Sequence, residues 1–238
     1  MYLKKLIFVV LPLIISILIF IYTLTFHNSV NAVKETEQNA NQPIVIIDAG
    51  HGGFDGGAVA EDGTVEKDIN LSIALYLREY LSVFDIKTIM IRETDCSVED
   101  DGLNTIRQRK TSDLHNRMKL MEETDNAIFI SIHQNKYPDG KYSGTQVFYS
   151  PKTKEESQAL AQTIQDCVIN TLQKDNKRQI KECGTSVYLM YNAVKPAVLV
   201  ECGFLSNYEE TNKLKAPEYQ KKIAFCIAVG IQKYLTLR

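Results

Sequence analysis

The chain carries almost no net charge: 27 lysines and arginines stand against 29 aspartates and glutamates, for a formal balance of −2. Without a global basic field, nucleic acid is excluded as the expected partner. Paired cysteine motifs are missing as well. Cys96, Cys167, Cys183, Cys202 and Cys226 are scattered with no C-x-x-C spacing, which removes zinc-ribbon and dithiol-redox readings. Their odd number leaves at least one thiol without a partner in the chain, and most read as small buried hydrophobes. Cys202 is not read as a nucleophile, because neighbours on a strand face opposite sides and no His–Cys dyad is suggested. No internal repeat and no low-complexity tract occurs, so solenoids and extended disorder are excluded too.

What is present begins with a long apolar segment. Lys4 and Lys5 precede an almost uninterrupted apolar stretch over residues 6–26, long enough at about 1.5 Å per residue to cross a hydrocarbon core of about 30 Å. Val30-Asn31-Ala32 offers a small-x-small cleavage pattern. Residues 1–32 therefore read either as a signal peptide or as a retained membrane anchor whose start is fixed inside by the two lysines. Either way the domain that follows is expected to be exported, on the outer face of the cytoplasmic membrane or released from it. Residues 33–42 are polar and aperiodic and read as a tether, and a single domain is expected over 43–238, from Pro43 on.

In that domain, short β-branched runs alternate with amphipathic segments. The pattern predicts strands over 44–47, 87–91, 128–132, 145–149, 186–190 and 197–200, and helices over 65–82, 113–122, 154–172 and 217–234. Strand–helix alternation implies βαβ units, hence an α/β fold with a largely parallel sheet covered by helices on both faces. Residues 95–113 change sign, from Glu99-Asp100-Asp101 to Arg107, Arg109 and Lys110, and read as a solvated loop.

Three of the apolar runs end in a residue that suits a metal. The first meets His51 inside Asp48-Ala49-Gly50-His51-Gly52-Gly53, the third ends in His133, and the last in Glu201. Open α/β sheets bind ligands beyond the carboxyl ends of their strands, so these side chains are expected on one rim. Glu66, in the first turn of the helix that follows, adds a second carboxylate. His51, Glu66 and His133 as metal ligands, with Glu201 left for proton transfer, make the inventory of a mononuclear zinc hydrolase with a coordination position open to water. Asp48 and Asp55 both stand where a carboxylate could orient His51 or cap loop amides. Gln134 and Asn135 are candidates to bind substrate amides. His115 reads as solvent-facing and His27 as a membrane-interface residue.

The stretches Ile46-Ile47-Asp48-Ala49-Gly50-His51-Gly52-Gly53, Glu66-Lys67-Asp68, Ser131-Ile132-His133-Gln134-Asn135 and Val200-Glu201-Cys202-Gly203-Phe204-Leu205-Ser206-Asn207 resemble the zinc-dependent N-acetylmuramoyl-L-alanine amidases of the third amidase family. The resemblance spans residues 43–235. Asp55-Gly56-Gly57-Ala58, the basic run at Arg107 to Lys110, and Gly144-Thr145-Gln146-Val147-Phe148-Tyr149 are similar to its germination-specific branch, which acts toward muramic-δ-lactam in the spore cortex. The resemblance implies hydrolysis of the bond between the lactyl group of N-acetylmuramic acid and L-alanine, with peptidoglycan as partner and substrate, the membrane as partner through the N-terminal segment, and an activator protein as a possible regulator. It also gives the basic half of residues 95–113 a sharper reading, as a contact for carboxylates of the stem peptide. Two rivals are weighed. A zinc carboxypeptidase would show a tight His-x-x-Glu pair, which is absent; a peptidoglycan-binding module without catalysis would be expected to lose one of the four site residues, and all are intact.

Overall fold

The computed structural model describes residues 20, 22, 23 and 42–237. Apart from these few positions, the apolar segment, His27 and the tether lie outside the described residues. Ile44–Ala49 (β1), Thr88–Met90 (β2), Ala127–Asn135 (β3), Gln146–Tyr149 (β4), Lys181–Glu182 (β5) and Ala197–Phe204 (β6) form one sheet in the order β2-β1-β3-β6-β4-β5. β2, β1, β3 and β6 are mutually parallel, while β4 runs antiparallel to β6 and parallel to β5. The helices are Glu66–Val83 (α1), Ile106–Glu123 (α2), Lys154–Thr171 (α3), Tyr188–Asn192 (α4), Tyr208–Lys215 (α5) and Pro217–Thr236 (α6). The largely parallel sheet with helices on both faces is the fold expected from the sequence.

Each central strand buries both faces, and its alternation sorts the side chains between two cores. Val45, Ile47, Ile130, Ile132, Val198, Val200 and Cys202 pack with α1, α3 and α6. Ile46, Phe129, Ala197 and Leu199 pack instead with Met118 and Met121 of α2 and Leu189 and Met190 of α4. Parity then assigns the polar positions. Asp48, Ser131, His133 and Glu201 project to the α2/α4 face, whereas Gln134 projects to the α1 face. Gln146 pairs directly with Glu201 across β4 and β6, so it shares the face of Glu201.

Four elements differ from the sequence expectation. α2 starts at Ile106, well before residue 113, because Thr105 accepts from the Gln108 amide and Gln108 answers with its side chain on the Thr105 amide. That reciprocal cap satisfies two donors the helix start would otherwise leave open. Residues 186–190, expected as a strand, contribute to the short helix α4. Adjacent Leu189 and Met190 are both buried in the same core, which a strand's alternation does not permit and a helical turn does. The short β5 and α5 were not expected. α5 is capped by Asn207, whose side chain accepts from the Glu210 amide. Its Ala216 junction leads into α6 with Pro217 in the first turn, where a missing N–H costs nothing.

Candidate active site

At the carboxyl ends of β1 and β3, the rim of the sheet brings His51, Glu66 and His133 together. One ligand atom from each lies within 4.8 Å of the others, a spacing that one divalent cation can span. Glu66 Oε2 is 3.3 Å from His51 Nε2, and Oε1 is 2.9 Å from His133 Nδ1. Glu66 itself is fixed by backbone: the Ala58 amide donates to Oε2 at 2.8 Å and the Gln134 amide to Oε1 at 3.0 Å. Asn70, one helical turn along α1, donates both to Glu66 and to the Gly50 carbonyl, tying the helix start to the loop.

The glycines of that loop are there for closeness. A Cβ on Gly50 would come within 2.1 Å of the His133 ring, and one on Gly57 within 2.6 Å of both Glu66 Oε2 and the His51 ring. His51 itself adopts φ 63°, a left-handed conformation that a non-glycine residue keeps only when its surroundings hold it there. Arg117, buried beneath the loop, supplies much of that hold. It donates to the carbonyls of Ala49 and His51 at 3.2 and 2.8 Å and pairs with Asp48 and Asp113. Arg92 adds donations to the carbonyls of Ala49 and Gly50 at 2.8 and 3.1 Å. Neither arginine was singled out from the sequence, where each looks like an ordinary surface charge.

Of the two aspartates, Asp55 is the one on His51. Its Oδ2 lies 2.9 Å from Nδ1, which orients the ring with Nε2 toward Glu66, and Lys110 donates to its other oxygen at 2.9 Å. Burial works against a proton on His51, but its bonds to Asp55 and Glu66 outweigh it and raise the pKa to about 9. For Glu66, burial likewise opposes the charge, yet the two imidazoles hold its carboxyl well below the usual carboxylate range. Asp48 instead takes bonds from Arg117 and Ser131.

Glu201 sits on β6 directly opposite His133 on β3. It stands outside the three-residue group that could hold a cation, and its Oε2 is buried without a hydrogen-bond partner among the described residues. Burial pushes its pKa up to about 7; the His133 imidazole opposes that rise and the Glu66 charge adds to it. Cys202, the next residue, points into the opposite core. A cavity of about 230 Å³ opens against His51 and His133 on the α2/α4 face, walled in part by Phe54, Leu114 and Leu189.

Other sequence candidates fall elsewhere. Gln134 is buried behind Glu66, donating to Asn70 at 3.1 Å, so it faces away from the cavity. Asn135 stays half-buried at the rim, beside a register shift in the β3–β6 pairing. The region 95–113 is docked, not free. Asp95 bonds Lys67 and the Gly53 amide, Arg109 pairs with Glu99 and stacks 3.9 Å from the Phe54 ring centroid, and Lys110 is on Asp55. Arg109 and Lys110 are thereby spent on holding the loop, while Arg107 stays exposed. His115 is exposed, with its ring 5.7 Å from that of Tyr188.

Comparison with known proteins adds a second, independent line. The family model for N-acetylmuramoyl-L-alanine amidases, Amidase_3, matches residues 45–233. The germination-specific N-acetylmuramoyl-L-alanine amidase of Bacillus subtilis (strain 168) is 38% identical over 220 residues, covering 92% of this chain and 91% of that relative. Among solved structures, the CwlD amidase from Clostridioides difficile, in complex with the GerS lipoprotein, superposes with a TM-score of 0.79 at 40% identity, covering 83% of this chain and 100% of that one. An N-acetylmuramoyl-L-alanine amidase from Clostridium difficile 630 follows at 0.71 and 30% identity, covering 82% of this chain and 98% of that one.

Proposed function

The chain belongs to the N-acetylmuramoyl-L-alanine amidase family, in its CwlD branch, and on that premise we propose that His51, Glu66 and His133 hold its zinc ion while Glu201 moves the proton. The observation that carries this is the convergence of the three donors on the rim, with one carboxylate oxygen of Glu201 left unpartnered beside them. Two imidazoles and one carboxylate are a donor set that zinc takes while keeping a position open. Zinc, when bound, polarises the scissile carbonyl and lowers the pKa of water at that open position.

The enzyme hydrolyses the amide between the lactyl group of N-acetylmuramic acid and L-alanine in peptidoglycan. Glu201 takes a proton from the attacking water and returns one to the departing alanyl amine, which needs a carboxylate close to both and committed to neither. Asp55 fixes the His51 ring with Nε2 turned toward Glu66, which would leave that nitrogen to hold the ion. Arg117 and Arg92 keep the loop carbonyls in place, and the apolar wall of Phe54, Leu114 and Leu189 suits the small methyl groups that flank the scissile bond. Incubating the full-length chain with zinc and defined muropeptides should release intact stem peptides and leave a free lactyl carboxyl, read by mass. Cleavage inside the stem would replace this reading with that of a peptidase.

The likeness to germination-specific and CwlD amidases further supports a role in the spore cortex, where stem removal precedes closure of muramic-δ-lactam. The CwlD structure holds a GerS lipoprotein, and an activator lipoprotein on this chain is the corresponding proposal. The domain acts outside the cytoplasmic membrane, exported by residues 1–32 as anchor or signal, with 33–42 as tether. A strain lacking the gene should build cortex without muramic-δ-lactam and grow normally as vegetative cells. Normal lactam content would remove the spore assignment and leave the amidase chemistry standing.

A further inference from the structure

On the amidase reading, the stem peptide must leave the metal site along the rim, and its direction is open. Toward the loop of residues 95–105, Arg109 is already paired with Glu99 and Lys110 with Asp55, which leaves Arg107 as a single exposed cation. The other direction runs over β6 and β4 to a cavity of about 820 Å³. Its lining includes Lys174, Lys177, Arg178 and Lys213, none of which makes an ion pair among the described residues. Of the carboxylates there, Glu210 is turned onto the backbone amides of Gly144 and Phe204, both at 2.8 Å.

Arg178 is the built element of this cavity. Its Nε donates to the Ser143 carbonyl at 2.7 Å and one Nη to Gln146 Oε1 at 3.3 Å. The guanidinium lies 4.4 Å from the centroid of the Phe204 ring. Its other Nη has no acceptor among the described residues. The segment that carries it is tied down as well: Asn176 donates to the Thr145 carbonyl and accepts from the Arg178 amide, and Gln173 bonds the Thr145 amide, the Thr145 hydroxyl and Tyr219. A planar fork held on an aromatic face with free donors is suited to a carboxylate.

The spacing gives the place along the peptide. His133, Glu201 and Gln146 are register partners on adjacent strands, so Gln146 lies about 10 Å from His133 at about 4.8 Å per strand. Arg178 is one side-chain contact further. An extended peptide covers that span in about three or four residues. We propose that Arg178, with Lys174, Lys177 and Lys213 around it, forms a subsite for the acidic stem peptide, binding carboxylates about three residues beyond the scissile amide. This rests on the amidase reading for the direction of the peptide but is tested by binding alone.

Isothermal titration of the full-length chain with L-alanyl-γ-D-glutamyl-diaminopimelate, and with the same peptide amidated at its carboxyls, decides it. The acidic peptide should bind at least about tenfold tighter than the amidated one, and less tightly as salt is raised. Arg178→Gln should bring the acidic peptide down to the amidated level, while Arg178→Lys recovers only part, since a point charge lacks the fork. The double change Lys174→Glu with Lys213→Glu, which leaves the Arg178 contacts alone, should weaken the acidic peptide selectively. Equal affinity of the two peptides, no binding of either, or an undiminished Arg178→Gln would overturn the proposal. Failure of the parent to release stems from muropeptides would instead sink the amidase reading, since titration needs no turnover.

Discussion

His133→Ala should leave the purified chain with at most about a tenth of the zinc found in the parent, which should carry one ion per chain. Loss of a residue that merely supports a zinc ligand already costs about 10–100-fold in affinity, and His133 is proposed as a ligand itself. The substitution removes one imidazole of a three-residue group and leaves Glu66 its amide donors from Ala58 and Gln134, so the carboxylate stays where it is. The fold should survive, because His133 sits at the strand's end, half-buried, and contributes to neither apolar core. Elemental analysis beside a thermal melt separates the two effects. His115→Ala, made on an exposed ring of α2, should keep its zinc. Parent-like zinc in His133→Ala would remove it from the ligand set, and Glu66 and His51 alone would not then account for tight binding.

Much of this rim was legible because parallel strands write themselves as apolar runs, and a run's last residue is where the sheet meets solvent. His51, His133 and Glu201 could be placed on one edge for that reason alone. Which face each took was not legible until the two cores were known, and that is why Gln134 was set beside Asn135 as a substrate contact when strand parity sends it behind Glu66. The choice between Asp48 and Asp55 had no local signal, because it depends on Arg117, distant in sequence and indistinguishable there from a surface cation. The early start of α2 did have one, since Thr105-Ile106-Arg107-Gln108 is a capping box. It was masked by a helix whose first turns are charged, with little apolar periodicity to follow. Residues 186–190 failed differently: the short apolar run Val187-Tyr188-Leu189-Met190 is compatible with strand and helix alike, and only the shared burial of Leu189 and Met190 decides.

The second large effect separates chemistry from coordination. Glu201→Gln should keep the parent's zinc content yet lose about 10²–10⁴-fold in kcat, the usual worth of a positioned general base. Glutamine is nearly isosteric, so the β6 pairing to β3 and β4 should be undisturbed, and an amide in place of a half-buried carboxylate removes charge that burial already disfavours. Stability should therefore stay level or rise slightly. Substrate binding should change little, because the proton moves only as water attacks and the amine leaves, and an interaction made only in the transition state appears in kcat and kcat/KM together with KM nearly constant. The combined measurement is discriminating. If zinc falls along with rate, Glu201 is a ligand and the three-residue group is incomplete; if neither falls, the proton passes through some other group and the unpartnered oxygen of Glu201 has no part in the reaction. Only retained metal with lost turnover is compatible with a carboxylate that stands beside the ligands, opposite His133, and is bound to none of them.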